Sequence, residues 1–278
     1  MRMHIGLILF FCAAAMGTSH PAFAGAWTQN AQGYYLKIAA STLNTAQDID
    51  ARGHRIQKPG MGNLTDRNLS AYLEYGLRDR LTLVVSAPYK RLEDTRTFDT
   101  GIAEETRSGF GDLEARLRWR VLNRGRLVAS VAAGGKVPLW YTDNPNSRVP
   151  LSSKKVDADV RSLLGWSLHP FPAYVTGEAG YRVRGGTFSD ETFYALEAGI
   201  TLNRFLLKGT LSGIHTLGPC EVVGEVGLIG DQNVLKLSPG LIYRATDRIE
   251  LSLELFHITS GCNTTAGNTV SFGIALKK

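Results

Sequence analysis

Three cysteines in 278 residues are too few for a disulfide scaffold, and they lack the clustered spacing of a zinc site. Proline is sparse at 10, and the 30 glycines follow no Gly-X-Y period, which excludes collagen-like and proline-rich low-complexity chains. The only long uncharged apolar run is Ile5–Met16, too short to span a bilayer as a helix. Charged residues make up 20% of the chain and mean hydropathy is -0.08, so neither a disordered chain nor a bundle of membrane helices fits. No Gly-x-Ser-x-Gly elbow and no phosphate-loop pattern occurs. Gly109-Phe110-Gly111 opens an expected strand, so it is no half of a dinucleotide fingerprint.

What is present begins with an export signal. Arg2, the apolar stretch Ile5–Met16 and the small-x-small site Ala22-Phe23-Ala24 predict a secretory signal peptide over residues 1–24. Cys12 follows Phe11, where a lipoprotein signal needs a small residue. The chain from Gly25 onward is a single expected domain, 25–278, with 30 basic and 25 acidic residues. An exported chain of that charge has little nucleic acid to meet, so none is expected as a partner.

Beyond residue 24 the apolar period is two rather than 3.6. In Asp112–Val121, Leu113, Ala115, Leu117, Trp119 and Val121 take one face, with Asp112, Glu114, Arg116, Arg118 and Arg120 on the other. The same alternation recurs through 173–184 and 249–255. Twelve strands are predicted, near 33–42, 68–77, 80–92, 109–122, 126–139, 156–168, 173–185, 191–202, 205–217, 232–245, 249–260 and 268–277. Alternate connections are tight. The others are longer and polar, chiefly Leu43–Arg67, Asp94–Ser108 and Trp140–Lys155.

An even number of long strands with short turns at one end predicts an all-β fold, a closed antiparallel transmembrane barrel of 12 strands. A secreted β-sandwich would alternate too. Against it, the apolar parity carries no Asp, Glu, Lys or Arg through the middle of any strand, as a cost of about 2–4 kcal/mol for Lys or Arg at the bilayer midplane would enforce. The expected location is the outer membrane of a Gram-negative bacterium. Expected partners are outer-membrane lipid, the barrel-assembly machinery and a small-molecule solute.

Gly25-Ala26-Trp27-Thr28-Gln29, Gly33-Tyr34-Tyr35-Leu36-Lys37 and Gly109-Phe110-Gly111-Asp112-Leu113-Glu114 resemble motifs of a family of small outer-membrane barrels. These are the "MetA-pathway of phenol degradation" transporters and the related XagA-like proteins. The resemblance implies passage of an aromatic compound. At the C-terminus, Ser271, Gly273 and Leu276 fit the barrel-assembly signal, while Lys278 stands where an aromatic is usual.

The polar parity supplies the candidate lumen. Its acids are Glu74, Asp112, Glu114, Asp157, Asp159, Glu178, Glu197, Glu250 and Glu254. Its bases are Lys37, Lys90, Arg116, Arg118, Arg120, Lys136, Arg161, Arg182, Arg184, Lys208, Lys236 and Arg244. One reading is a narrow charged channel for small aromatic or acidic solutes. The alternatives are a barrel filled by its own side chains, a surface-interaction protein acting through the Leu43–Arg67 loop, and a barrel enzyme. Arg116, Arg118 and Arg120, with Lys90 and Lys136 as nearest neighbours, predict a locally positive wall. His54, His169, His215 and His257 have no ligand-spaced partner, so no metal, cofactor or catalytic residue is expected. A surface-lipase reading of His257 fails on its sequence neighbours, which include no Asn or Ser in the required pattern. Cys220 and Cys262 fall in adjacent loops of an oxidising compartment, which predicts a disulfide.

Overall fold

The computed structural model describes residues 25–139, 147, 149–221 and 230–278; the expected signal peptide, 1–24, lies outside the described residues. Sixteen strands follow in order: β1 Tyr34–Thr45, β2 Gln47–Ile49, β3 Arg55–Gln57, β4 Asn63–Arg78, β5 Leu81–Phe98, β6 Gly101–Phe110, β7 Asp112–Arg124 and β8 Leu127–Pro138. Then come β9 Asp157–Ser167, β10 Ala173–Val183, β11 Glu191–Leu202, β12 Phe205–Thr216, β13 Asn233–Arg244, β14 Ile249–Cys262, β15 Thr264–Thr265 and β16 Asn268–Lys277. β1 pairs antiparallel with β4 on one side and β16 on the other, closing the sheet. β6 and β7 form one wall strand interrupted at Gly111, both pairing with β5, so the wall is a barrel of 12 strands. β2, β3 and β15 make a small separate sheet at the loop end.

Period-two alternation becomes a two-sided wall because side chains point alternately outward and inward. Ile38, Leu117, Leu196, Leu253 and Ile274 are exposed on the outer face, whereas Glu74, Thr82, Asp159, Glu250 and Glu254 are buried on the inner one. Aromatic side chains fringe the apolar band. Trp119, Trp166 and Phe205 lie toward the tight turns, and Tyr89, Phe110 and Tyr194 toward the long loops. Tyr89 and Phe110 pack edge to face at 5.3 Å between centroids. Such belts mark the levels where hydrocarbon meets headgroups.

Two expected loops are partly strand. β5 and β6 continue as a hairpin through most of Asp94–Ser108, and β1, β4 and the small sheet take up much of Leu43–Arg67. Above the apolar band the outer face need not be apolar. Arg67, Arg91 and Glu93 point outward there and pair with one another, so no alternation of hydrophobicity marks these strands.

Candidate functional site

The lumen is occupied by the chain itself. Residues 25–33 form no wall strand but pass through the turn end of the barrel, touching the inner faces of β4, β5, β7, β8, β9 and β10. Ser130 donates its hydroxyl to the Ala26 carbonyl, and Arg118 donates to the Trp27 carbonyl at 3.0 Å. The Gln29 amide donates to Thr82 Oγ1 at 2.8 Å, while its side chain donates to Glu74 at 2.9 Å. Thr28 and the Ala31 amide donate to Asp79 in the β4–β5 turn. Ala26 is fully buried among Val128, Ala132 and Leu163, with Trp27 packed beside them and edge-on to Tyr174 at 6.0 Å. The wall is shaped to this segment: a Cβ at Gly165 would lie 2.6 Å from the Trp27 ring.

Above this segment, charge pairs line the inner wall. Arg116 forks onto Asp159, with 2.9 Å to its nearer contact, and reaches Glu114 at 2.7 Å. Arg118 meets Glu74 at 3.1 Å, and Tyr72 donates to the same carboxylate at 2.5 Å. Arg161 joins Asp159 to Glu178 and stacks over Phe193 at 4.4 Å. Arg182 bridges Asp159 and Glu191. Arg184 meets Asp157, Glu191 and Asp231. Lys136 bridges Asp112 and Asp157. On the other side Glu254 lies between Lys37 and Lys208, and Lys208 continues to Glu197. Glu250 pairs with Lys277 and Arg244.

The expectation of a positive wall around Arg116, Arg118 and Arg120 is therefore corrected. Arg116 and Arg118 face acids, and Lys136 is held by acids too. The reason is a register rule that sequence spacing hides. Arg116, Gly134 and Asp159 share one row across β7, β8 and β9. A Cβ at Gly134 would sit 2.5 Å from Arg116 Cγ, so glycine leaves the gap through which strands two apart pair. Lys208, Gly240 and Glu254 repeat the arrangement across β12, β13 and β14.

Of the inward bases, Lys90, Arg120 and Lys236 form no salt bridge among the described residues. Lys236 stands over the Phe256 ring at 5.4 Å. Ser238 and Ser252, both buried, have hydroxyls without a hydrogen-bond partner.

The loop end is also narrowed. Val149 and Leu151, in the β8–β9 connection, are buried against Leu92 and Leu64, and Ser147 donates to Glu105 at 2.6 Å. Cys220 and Cys262 form a disulfide with a Cα separation of 6.1 Å. Beside it, the Asn263 side chain donates to the carbonyls of Glu221 and Asp231. In the β2–β3 turn the amides of His54 and Arg52 donate to Asp50, holding its carboxyl below the usual range, with the His54 amide contributing most.

No group of three or more metal-ligating side chains occurs among the described residues. Asn268 does face His257, at 2.6 Å, a partner that sequence neighbours could not reveal. Thr259, two residues on, donates its hydroxyl to the Leu235 carbonyl at 2.9 Å, so it is not directed at the imidazole as an activated nucleophile would be.

No protein-family model matches the sequence, and no curated protein matches it. Solved structures do. The COG4313 outer membrane channel from Pseudomonas putida F1 aligns with a TM-score of 0.69 at 12% identity, covering 93% of this chain and 100% of that one. The NanC porin aligns with a TM-score of 0.52 at 8% identity, covering 87% and 100%. At such identities the likeness establishes the fold, that of a small outer-membrane barrel.

Proposed function

We propose that the chain is an outer-membrane channel for small solutes whose lumen is held shut at rest by its own residues 25–32. The short turns then face the periplasm and the long loops the exterior. The observation that carries this reading is how the segment is held. It forms no strand with the wall and is fixed by scattered hydrogen bonds, the burial of Ala26 and Trp27 in a small apolar cluster and one backbone bond from Gln32 to Gly76, with Gly165 leaving room for the Trp27 ring. A plug of that kind can leave without unzipping the barrel. Lys90, Arg120 and Lys236, the inward bases that form no salt bridge among the described residues, favour anionic or weakly acidic solutes. The resemblance to the phenol-degradation barrels adds aromatic compounds to that class. The rival reading, a closed structural barrel, draws on the dense pairing of lumen charges.

Planar-bilayer recording separates the two. The full mature chain should show rare, brief openings, and a chain beginning at Gly33 should conduct steadily. Silence from both refolded proteins would establish the structural barrel instead.

A further inference from the structure

The outer face of the barrel carries a groove of about 1300 Å³ that starts at the β4–β5 turn and runs obliquely across β7 and β8 toward the loop ends of β9 and β10. Leu117, Trp119, Val131, Ala133, Val160 and Tyr181 line it, all on the outward parity. The small residues Ala133, Ser162 and Ala179 form part of its surface between these larger side chains. The opposite side of the same wall bears Val128, Ala132 and Leu163, which hold Ala26 and Trp27.

Charge distinguishes this groove from a plain apolar face. Its turn-end rim is Arg78-Asp79-Arg80. Asp79 accepts the Ala31 amide at 2.9 Å, and its single charge stands against two flanking arginines. Arg78 and Arg80 are exposed and form no salt bridge among the described residues. Arg124 and Arg126, on the neighbouring β7–β8 turn, are exposed too. An apolar cavity that opens onto hydrocarbon and ends in a net positive rim of exposed guanidiniums at headgroup level matches one ligand chemistry: acyl chains joined to a phosphate.

We propose that this groove is a binding site for a single anionic phospholipid of the adjacent leaflet, its acyl chains against Trp119, Val131 and Val160 and its phosphate between Arg78 and Arg80. A second copy of the chain fits less well, because the rim would then bring like-charged arginine turns together. The site requires only that the barrel be embedded in a bilayer, so it stands apart from the question of conduction.

Native mass spectrometry of the mature protein tests it, after exposure to equal amounts of phosphatidylglycerol and phosphatidylethanolamine with matched chains. One retained lipid per barrel is expected, with phosphatidylglycerol in excess. Arg78→Gln and Arg80→Gln, which leave Asp79 in place, should each lower phosphatidylglycerol retention roughly fivefold. Ala133→Trp fills the groove without touching the charges and should remove both lipids. Heat-modifiable migration on SDS gels confirms that each variant is folded. Equal retention of the two lipids with no response to the arginine variants overturns the proposal. So does unchanged retention in Ala133→Trp, or a dimer mass in place of a lipid adduct.

Discussion

Lys208 and Glu254 lie two strands apart on the inner wall, 2.9 Å from each other across Gly240. A Cβ on that glycine would come within 3.2 Å of the Glu254 stem and 3.2 Å of the Lys208 stem. Glu254 also takes Lys37 from β1, so one carboxylate is shared by two partly buried ammonium groups, of which Lys208 also meets Glu197.

Replacing Glu254 by Gln should therefore destabilise more than a surface substitution would. It leaves Lys37 without its carboxylate and Lys208 with Glu197 alone, and losing one member of such a buried group costs about 3–5 kcal/mol. Urea titration of the refolded barrel should show a lower midpoint with an unchanged slope. A midpoint equal to that of the parent would mean that water reaches both lysines freely. Gly240→Val should act in the same direction by forcing the pair apart.

The plug makes a different demand. Gly165→Val places a branched side chain where the Trp27 ring now lies, with the first added carbon 2.6 Å from it. The wall strand tolerates valine well, since β-branched residues suit extended backbone. The expected outcome is a folded barrel whose N-terminal segment is displaced: longer channel openings and faster cleavage of residues 25–32 by an added protease. Parent-like protection of the segment in a folded Gly165→Val protein would show that Trp27 is not held at this point.

The disulfide ties the connection after β12 to the end of β14, a sequence separation of 42 residues. In the chain-entropy account, closing a loop of that size stabilises by about 4 kcal/mol. Unreduced, denatured mature protein should yield no labelled thiol. Cys220→Ser should label once per chain and unfold at lower urea concentration. Two labelled thiols in the parent would exclude the bond in the native protein.

How much of this was legible in the sequence follows from how local each signal is. Alternation along Asp112–Val121 needs only one strand and one apolar solvent, so the wall strands and the inward parity could be read residue by residue. The hairpin of β5 and β6 could not, because Arg91, Glu93 and Arg107 carry no such pattern above the apolar band. Pairing in the lumen was misread for a geometric reason: Lys136 stands opposite Glu114, while Arg116 faces Gly134 and reaches Asp159 over it, a row defined by register rather than spacing. The plug was invisible. Residues 25–29 have no period at all, and their partners, from Glu74 to Tyr174, are scattered over about a third of the chain.

With most lumen charges paired, ion selectivity should rest on the few that are not. Arg116 and Asp159 cancel at short range, so neutralising the arginine disturbs packing as much as field. Lys236 has no acid within salt-bridge distance among the described residues; its neighbours are the Phe256 ring and, one inward position along β13, the unpartnered Ser238 hydroxyl. A cation with no counter-charge nearby acts on a passing ion more strongly than one paired with an acid. In a chain beginning at Gly33, Lys236→Gln should move the reversal potential in a salt gradient toward cations, and Lys236→Glu should move it further. Arg116→Gln should shift it less, since Asp159 is still held by Arg161 and Arg182. The ordering is the test. A larger shift from Arg116→Gln than from Lys236→Glu would place the conduction path along the paired wall of β7 to β9, away from β13.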